Sequence, residues 1–282
     1  MIIHKYLEAK YGIEAIIDSK LKVSLPKELN DPFEFLPKDI GNWTKTKVKK
    51  YLKDKARQNR IFEYQKKRGI VKNKQQFKEA LKNIDSLAED LLIRFQSKDF
   101  WNHMLESKKD IDQYMRLICF SSEEAKYIDE ILMWSHYSNK HYGIRLHYDS
   151  NLIMLPYFEL RKVKYSKERP SVDYTLDNIS NELTNQLMLA MHTKSECWEY
   201  EKEYRLFIEP NYCTNIQKDD NKYIFAEIPT KSLIRVDLGL NCGTKYVEEI
   251  LLLKTNNQFS KVKFCRAELN KDEYRINYTE IN

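Results

Sequence analysis

Apolar residues recur along this chain in two rhythms, and the switches between them mark out its elements. Ile2 to Tyr6 reads as a first strand. Ala9, Ile13, Ile16 and Ile17 fall near helical spacing and predict a helix over about residues 8–19. Leu21 to Leu25 alternates and stops at Pro26, as a second strand would. Farther on, Met115 to Ser121 predicts a buried strand, and Ile128 to Tyr137 a helix. Tyr142 to Tyr148 alternates again, and another strand is expected from about Tyr157 to Tyr165. Leu176 to His192 carries a helical pattern. Lys222 to Ile228, Leu233 to Leu238 and Lys261 to Ala267 are strand-like, with a helix around Thr244 to Lys254 and a last strand over Glu273 to Glu280. The strands cluster without regular βαβ alternation, so the expected class is α+β, built on a mixed, mostly antiparallel sheet.

One segment breaks the pattern. From about residue 44 to 99 the apolar spacing turns helical, through Val48, Tyr51, Leu52, Phe77, Leu81, Ile84, Leu87, Leu91 and Leu92. Between Lys45 and Lys82 there are 15 Lys and Arg against three acids, a local net of +12 in a chain whose total is +6. The expected organisation is therefore a core of residues 1–43 and 100–282, with a basic helical insertion at 44–99. Tyr51, Phe62 and Tyr64 lie among those basic residues, so the Lys and Arg of 45–82 are candidates for contact with nucleic acid, where each neutralised phosphate releases counterions.

Composition narrows the classes. At 42% hydrophobic and 12% aromatic, the chain has enough apolar material for a packed core rather than disorder. No apolar run approaches a membrane span, so no membrane partner is expected. The start, Met1-Ile-Ile-His-Lys-Tyr6, does not resemble a secretory signal, and the five cysteines have no metal-type spacing. A cytoplasmic location is expected, and no metal site. Six glycines and the absence of G-x-x-x-x-G-K-[ST], G-x-G-x-x-G, G-x-S-x-G and H-E-x-x-H argue against the common nucleotide, hydrolase and zinc signatures.

Three stretches could carry chemistry. In Trp198-Glu-Tyr-Glu-Lys-Glu-Tyr-Arg-Leu206, a strand over Glu201 to Ile208 would set Glu201, Glu203 and Arg205 on one face. Such a row is either a solvated edge of alternating charges or a paired site, with Arg205 tuning one of the carboxylates. Trp198 would anchor the start of the strand. Asn30-Asp31-Pro32-Phe33-Glu34 predicts a tight turn that could aim Asp31 or Glu34 into a cleft. Trp134 to Gly143 gathers aromatic, hydroxyl and imidazole groups: His136 suits proton transfer, while Trp134, Tyr137 and Tyr142 suit stacking on a flat ring.

The same blocks carry a resemblance. Asn30-Asp-Pro-Phe-Glu34, Cys119-Phe-Ser121, Met133-Trp-Ser-His-Tyr137 with His141 and Gly143, Val163-x-Tyr165, and Lys194 followed by Trp198-x-Tyr-Glu-x-Glu-x-Arg205 resemble the family called domain of unknown function 2971. They occur in that family's order over nearly the whole chain outside 44–99. The family is known mainly from bacteria and phages. A second resemblance is to ADP-ribosyltransferases, which share a first-strand His or Arg, a middle Ser, Thr or Tyr, and a late Glu, often in Glu-x-Glu. The matching positions are His4 or Tyr6, then Tyr137 or Tyr142, then Glu201 or Glu203. This resemblance implies an ADP-ribosyltransferase-like fold and NAD as substrate. It also implies a toxin or antiviral-defence role, with ADP-ribose transferred to nucleic acid or protein. His4, Tyr6, Asn30, Asp31, Trp134, Tyr142 and Arg205 would hold the substrate, while Glu201, Glu203, His136 and Tyr137 would act on it. Two alternatives stand beside this reading. One is a non-catalytic nucleic-acid sensor with an operon partner protein; the other is a nuclease holding a metal through Asp31, Glu34, Glu201 and Glu203.

Overall fold

The computed structural model describes residues 1–39, 41–67, 69–95, 115–153, 159–176, 180–218 and 221–281. The chain divides into two compact units. One takes in Met1–Phe33, Ile111–Glu168 and His192–Asn282, the other Glu34–Asp110 and Arg169–Met191. The second unit thus includes a stretch assigned by sequence to the core, and the expected boundary near residue 99 falls outside the described residues.

The first unit is organised on an eight-stranded sheet. Its strands are β1 (Ile2–Leu7), β2 (Leu117–Ser122), β3 (Ile144–Asp149), β4 (Glu159–Lys162), β5 (Tyr204–Phe207), β6 (Leu233–Leu238), β7 (Lys263–Leu269) and β8 (Ile276–Glu280). They lie in the order β8-β7-β6-β3-β1-β2-β5-β4. Every neighbouring pair is antiparallel except β6 and β7. That parallel pair needs a crossover connection, which is the helix Thr244–Lys254. Two more helices complete the unit's main elements, Ala9–Asp18 and Tyr127–Tyr137. The mixed, mostly antiparallel sheet agrees with the expected class.

Strand alternation gives the sheet two unlike faces. On one, Ile3, Ile118, Phe120, Ile144, Leu146, Leu206, Val236 and Leu238 join Ile13 and Ile16 of the first helix and Ile250 of the crossover helix in a single apolar cluster. On the other, cross-strand pairing sets His4 beside Ser121 and His147, Tyr6 and Asp237 beside Arg145, and Arg205 beside Cys119. The Tyr127–Tyr137 helix belongs to this polar face. Its Met133 and Trp134 pack with Tyr6, and the Trp134 and Tyr6 rings meet edge to face at 5.3 Å. Trp134 Nε1 donates to the Tyr278 hydroxyl at 2.8 Å, so its polar atom is matched inside the fold.

Several element boundaries shift from expectation. The second strand is Lys20–Lys22, and it pairs with Asn221–Glu227 rather than joining the main sheet. Cys213–Lys218, which had no strand reading, forms a hairpin with Asn221–Glu227. The strand expected over Tyr157–Tyr165 is two: β4, and Lys164–Ser166, which pairs in parallel with Thr193–Ser195. Residues 157 and 158 lie outside the described residues.

The second unit is mainly helical, with helices at Lys45–Lys53, Lys55–Lys67, Lys74–Lys82, Ile84–Phe95 and Asn181–Met191. Thr44 and Asn73 cap two of them by accepting backbone N–H groups. Val48, Leu52, Ile61, Phe62, Phe77 and Ala88 form its core. Two of the aromatic residues read as interleaved with the basic face are thus committed to packing. Phe62 is buried, and Tyr51 packs against the same core, edge-on to Trp43 at 5.5 Å. The side chain of Tyr64 lies outside the described residues. Part of the basic face is also neutralised: Lys45 pairs with Glu89 at 2.9 Å, and Lys49 with Asp85.

At the turn after the Tyr127–Tyr137 helix, Asn139, Lys140 and His141 all take left-handed backbone conformations. The chain then passes so close to β1 that a Cβ on Gly143 would sit 2.0 Å from the Leu7 carbonyl oxygen. Backbone cannot yield there as a flexible side chain would. Gly143→Ala is expected to destabilise the protein by about 3 kcal/mol, at the upper end of ordinary overpacking costs. A shift in the urea midpoint checks it, and an unchanged midpoint contradicts it.

Candidate active site

The stretch from Trp198 to Leu206 is not one strand. Glu196–Glu201 makes a short 3₁₀ turn, Lys202 takes a left-handed conformation with φ of 43°, and β5 begins at Tyr204. The reversal still leaves Glu201, Glu203 and Arg205 on the inside of the fold, at 4%, 3% and 0% exposure. A solvated edge of alternating charges is therefore excluded.

Charges this deep are costly unless paired. Here they pair through Lys194, on the Thr193–Ser195 strand. Its ammonium donates to Glu201 Oε2 at 2.6 Å, Glu203 Oε2 at 3.3 Å and Asn30 Oδ1 at 3.2 Å. Arg205 holds Glu203 with two nitrogens, Nε at 2.8 Å from Oε1 and Nη2 at 3.2 Å from Oε2. The Glu203 backbone N–H donates to the Tyr165 hydroxyl at 2.8 Å. Two carboxylates thus meet two cations, and Arg205 pairs with Glu203 rather than Glu201.

The two carboxyls differ in character. Burial alone would raise Glu203, but the charges of Arg205 and Lys194 outweigh it and hold the group well below the usual carboxylate range. Burial raises Glu201 above that range, with Lys194 opposing and Glu203 reinforcing. Glu201 Oε1 also accepts from the Tyr137 hydroxyl, and Asn30 Nδ2 donates both to that hydroxyl and, at 3.4 Å, to Oε1. Burial, then the Glu201 charge, keeps Tyr137 protonated far beyond the ordinary tyrosine range.

The residues around the Glu201 end are more exposed than Glu201 itself. Asn30 and His136 are exposed, while Trp198, Tyr200 and Tyr137 are half-buried. His136 Nδ1 lies 3.0 Å from the Tyr200 hydroxyl, and the Trp198 ring centre lies 4.9 Å from the Lys194 ammonium. Trp198 is therefore part of an aromatic rim over Lys194, besides marking the approach to β5. A carboxyl shifted toward neutrality, beside a phenol and an amide and edged by aromatic rings, can exchange a proton or steady a developing positive charge.

The remaining expected site residues go elsewhere. Asp31 is buried in its turn, with Oδ1 accepting the Phe33 N–H at 2.9 Å. Tyr142 is exposed, and among the described residues its side chain makes no hydrogen bond to the Glu201 group. His4, Tyr6 and Trp134 belong to a second polar group on the same sheet face, centred on the fully buried Asp237. Asp237 accepts from Arg145 at 2.6 and 3.0 Å, His147 at 2.6 Å and Arg235 at 2.6 Å. First-strand His4 and late Glu201 therefore sit in separate groups. Sequence reasoning gave no role to Lys194, Arg145, His147 or Asp237. The available signal was charge at alternate positions of otherwise apolar strands, Arg235 with Asp237 and Arg145 with His147.

Glu201 and Glu203 direct their oxygens at cations, and among the described residues no group of three or more His, Cys, Asp or Glu is placed to hold a metal ion. Among the described residues no helix is long and apolar enough to cross a membrane. Residues 133–206 match the model of a family described as protein of unknown function (DUF2971). The match is shorter than the near-complete coverage expected, but it spans Tyr137, Tyr165, Lys194, Glu201, Glu203 and Arg205. No curated protein and no solved structure matches the chain.

Lys194→Met removes the cation that pairs with the buried Glu201 and one of the two that meet Glu203, and is expected to cost about 3–5 kcal/mol, read from urea unfolding. Stability should also fall with acid. Burial pulls His147 from 6.5 down to about 4 against its bond to Asp237, so between those values the unfolded chain binds a proton that the folded chain refuses. The expected loss over that window is up to about 3 kcal/mol, and His147→Gln should flatten the profile. An unchanged slope in that variant would assign the acid loss to other groups.

Proposed function

We propose that the Glu201 site cleaves the nicotinamide–ribose bond of NAD and transfers ADP-ribose to a nucleic acid or protein acceptor, as a toxin or defence effector. The observation that carries the reading is the Glu201 carboxyl itself. It is buried, raised above the ordinary range, bonded to Tyr137, Asn30 and Lys194, and flanked by half-buried aromatic rings. Trp198, Tyr200 and Tyr137 offer faces suited to a flat nicotinamide ring.

In the reaction, the C1′–N bond breaks and nicotinamide leaves with the bonding pair. The ionised Glu201 steadies the oxocarbenium-like sugar, which the site is preorganised to meet. An acceptor oxygen or nitrogen then bonds C1′ and loses its proton to the carboxylate. In this reading the lysine-rich helices of residues 45–82 bring nucleic acid to the protein, with Lys72, Lys74 and Lys78 among the exposed basic residues.

A second reading has its own support. The quartet of Lys194, Arg205, Glu201 and Glu203 is balanced in charge, as a purely structural keystone of a non-catalytic nucleic-acid-binding protein would be.

Incubation with NAD and cellular nucleic acid or protein separates the two. Catalysis predicts nicotinamide release that falls at least about 100-fold in Glu201→Gln, within the usual range for loss of a positioned acid–base group. Release equal in wild type and variant would overturn it. For the helices, replacing Lys72, Lys74 and Lys78 with Gln should weaken nucleic-acid binding at low salt. Its salt dependence should drop by about one unit of log–log slope for each phosphate no longer neutralised. Unchanged binding would assign nucleic-acid recognition to another surface.

A further inference from the structure

Beside the Asp237 group, β1, β3 and β6 border a cavity of about 270 Å³. His4, Tyr6, Arg145, His147, Arg235 and Tyr278 are among the residues lining it. Most polar atoms there are spoken for. Arg145 directs Nε and Nη2 to Asp237 and Nη1 to Glu130 and the Tyr6 hydroxyl. The Tyr278 hydroxyl donates to Glu130 at 2.9 Å.

Two nitrogens stand apart. Arg235 Nε is bonded to Asp237 Oδ1, yet its Nη2 is buried with no partner among the described residues. His4 is 8% exposed, lies edge-on to His147 at 4.5 Å, and its Nδ1 likewise has no partner among them. Buried polar atoms left unmatched are destabilising, and native folds keep few of them without a ligand or ordered water.

The two atoms favour an oxyanion. A guanidinium fork matches phosphate geometry, and imidazole in the tautomer with its hydrogen on Nδ1 supplies a second donor from another strand. Burial, and then the charges of His147, Arg145 and Arg235, keep the His4 imidazole neutral, with Asp237 pulling the other way. A bound oxyanion would supply the counter-charge that a His4 imidazolium lacks. The space equals roughly nine water volumes, more than one phosphate fills. The rings of Tyr6 and Tyr278 give the remainder of a ligand an apolar wall.

We propose that this cavity binds the phosphate monoester of a small sugar or nucleoside, its phosphoryl oxygens accepting from Arg235 Nη2 and His4 Nδ1. The site is independent of the Glu201 chemistry and stands or falls apart from it.

The test is calorimetric titration of the full chain with ribose 5-phosphate, with ribose as the phosphate-free control. Ribose 5-phosphate should bind at micromolar to millimolar concentration, and ribose should give no saturable heat. Arg235→Gln and His4→Phe should each weaken binding by roughly tenfold or more, as loss of a charge-assisted bond does. Arg235 is partly exposed, so its variant is expected to fold and decides the matter alone if His4→Phe unfolds. Glu201→Gln should bind like wild type, which keeps this result separate from the nicotinamide assay. Absence of ribose 5-phosphate binding at millimolar concentration, equal binding of ribose, or unchanged affinity in Arg235→Gln would overturn the proposal.

Discussion

Arg205 has no exposed surface, yet it carries a guanidinium on the polar face of the sheet. A cation taken so far from water must be met by an anion and by hydrogen bonds, or the fold does not close. Glu203 meets it with both oxygens, Lys194 links Glu203 to Glu201, and Tyr137 and Asn30 complete Glu201. Four strands away in the sheet order, Asp237 does the same for Arg145, His147 and Arg235. One face of the sheet is held by apolar packing, while the other depends on paired charge. Removing one member of a pair is therefore worse than removing an ordinary surface ion pair, which contributes little.

This division explains where sequence and structure agree. Leu233–Leu238 and Thr244–Lys254 were legible because an apolar face recurs at a strand period and then at a helical one, and local pattern and tertiary packing concur. Glu201 to Arg205 was harder to read. Acidic and basic residues at every second position look the same in a strand as in a 3₁₀ turn that reverses through Lys202, and both put the same side chains inward. The partner that decides their burial, Lys194, comes from the separate short strand Thr193–Ser195. Arg145 and Asp237 stand 92 residues apart, and no local rhythm announces such a pair. Phe62 misled in the opposite way: an aromatic among lysines reads equally as a rim for nucleic acid or as the core of a small helical unit, and the packing of Val48, Leu52 and Phe77 makes it core.

The polar face also organises the proposed function. Glu201 sits where the paired network reaches the surface, so its oxygens look both into the ion pairs and toward the aromatic rim. Glu203, locked against Arg205, is the anchoring carboxylate. The network thus separates one carboxyl for structure from one that can take up a proton, a difference that Glu-x-Glu in the sequence leaves open. The His4 side of the same face contributes a different asset, unmatched donors around a cavity, and it is suited to binding rather than bond cleavage.

Burial and the neighbouring Glu203 charge, against the pull of Lys194, hold Glu201 as a proton-exchanging group next to Tyr137. A ¹³C NMR titration of the Glu201 side-chain carboxyl tests this most directly. The predicted result is a midpoint above the ordinary glutamate value of about 4.3, with a further change in Tyr137→Phe. A midpoint at or below that value, unaltered in the variant, would contradict the account and leave Glu201 as one more structural ion pair.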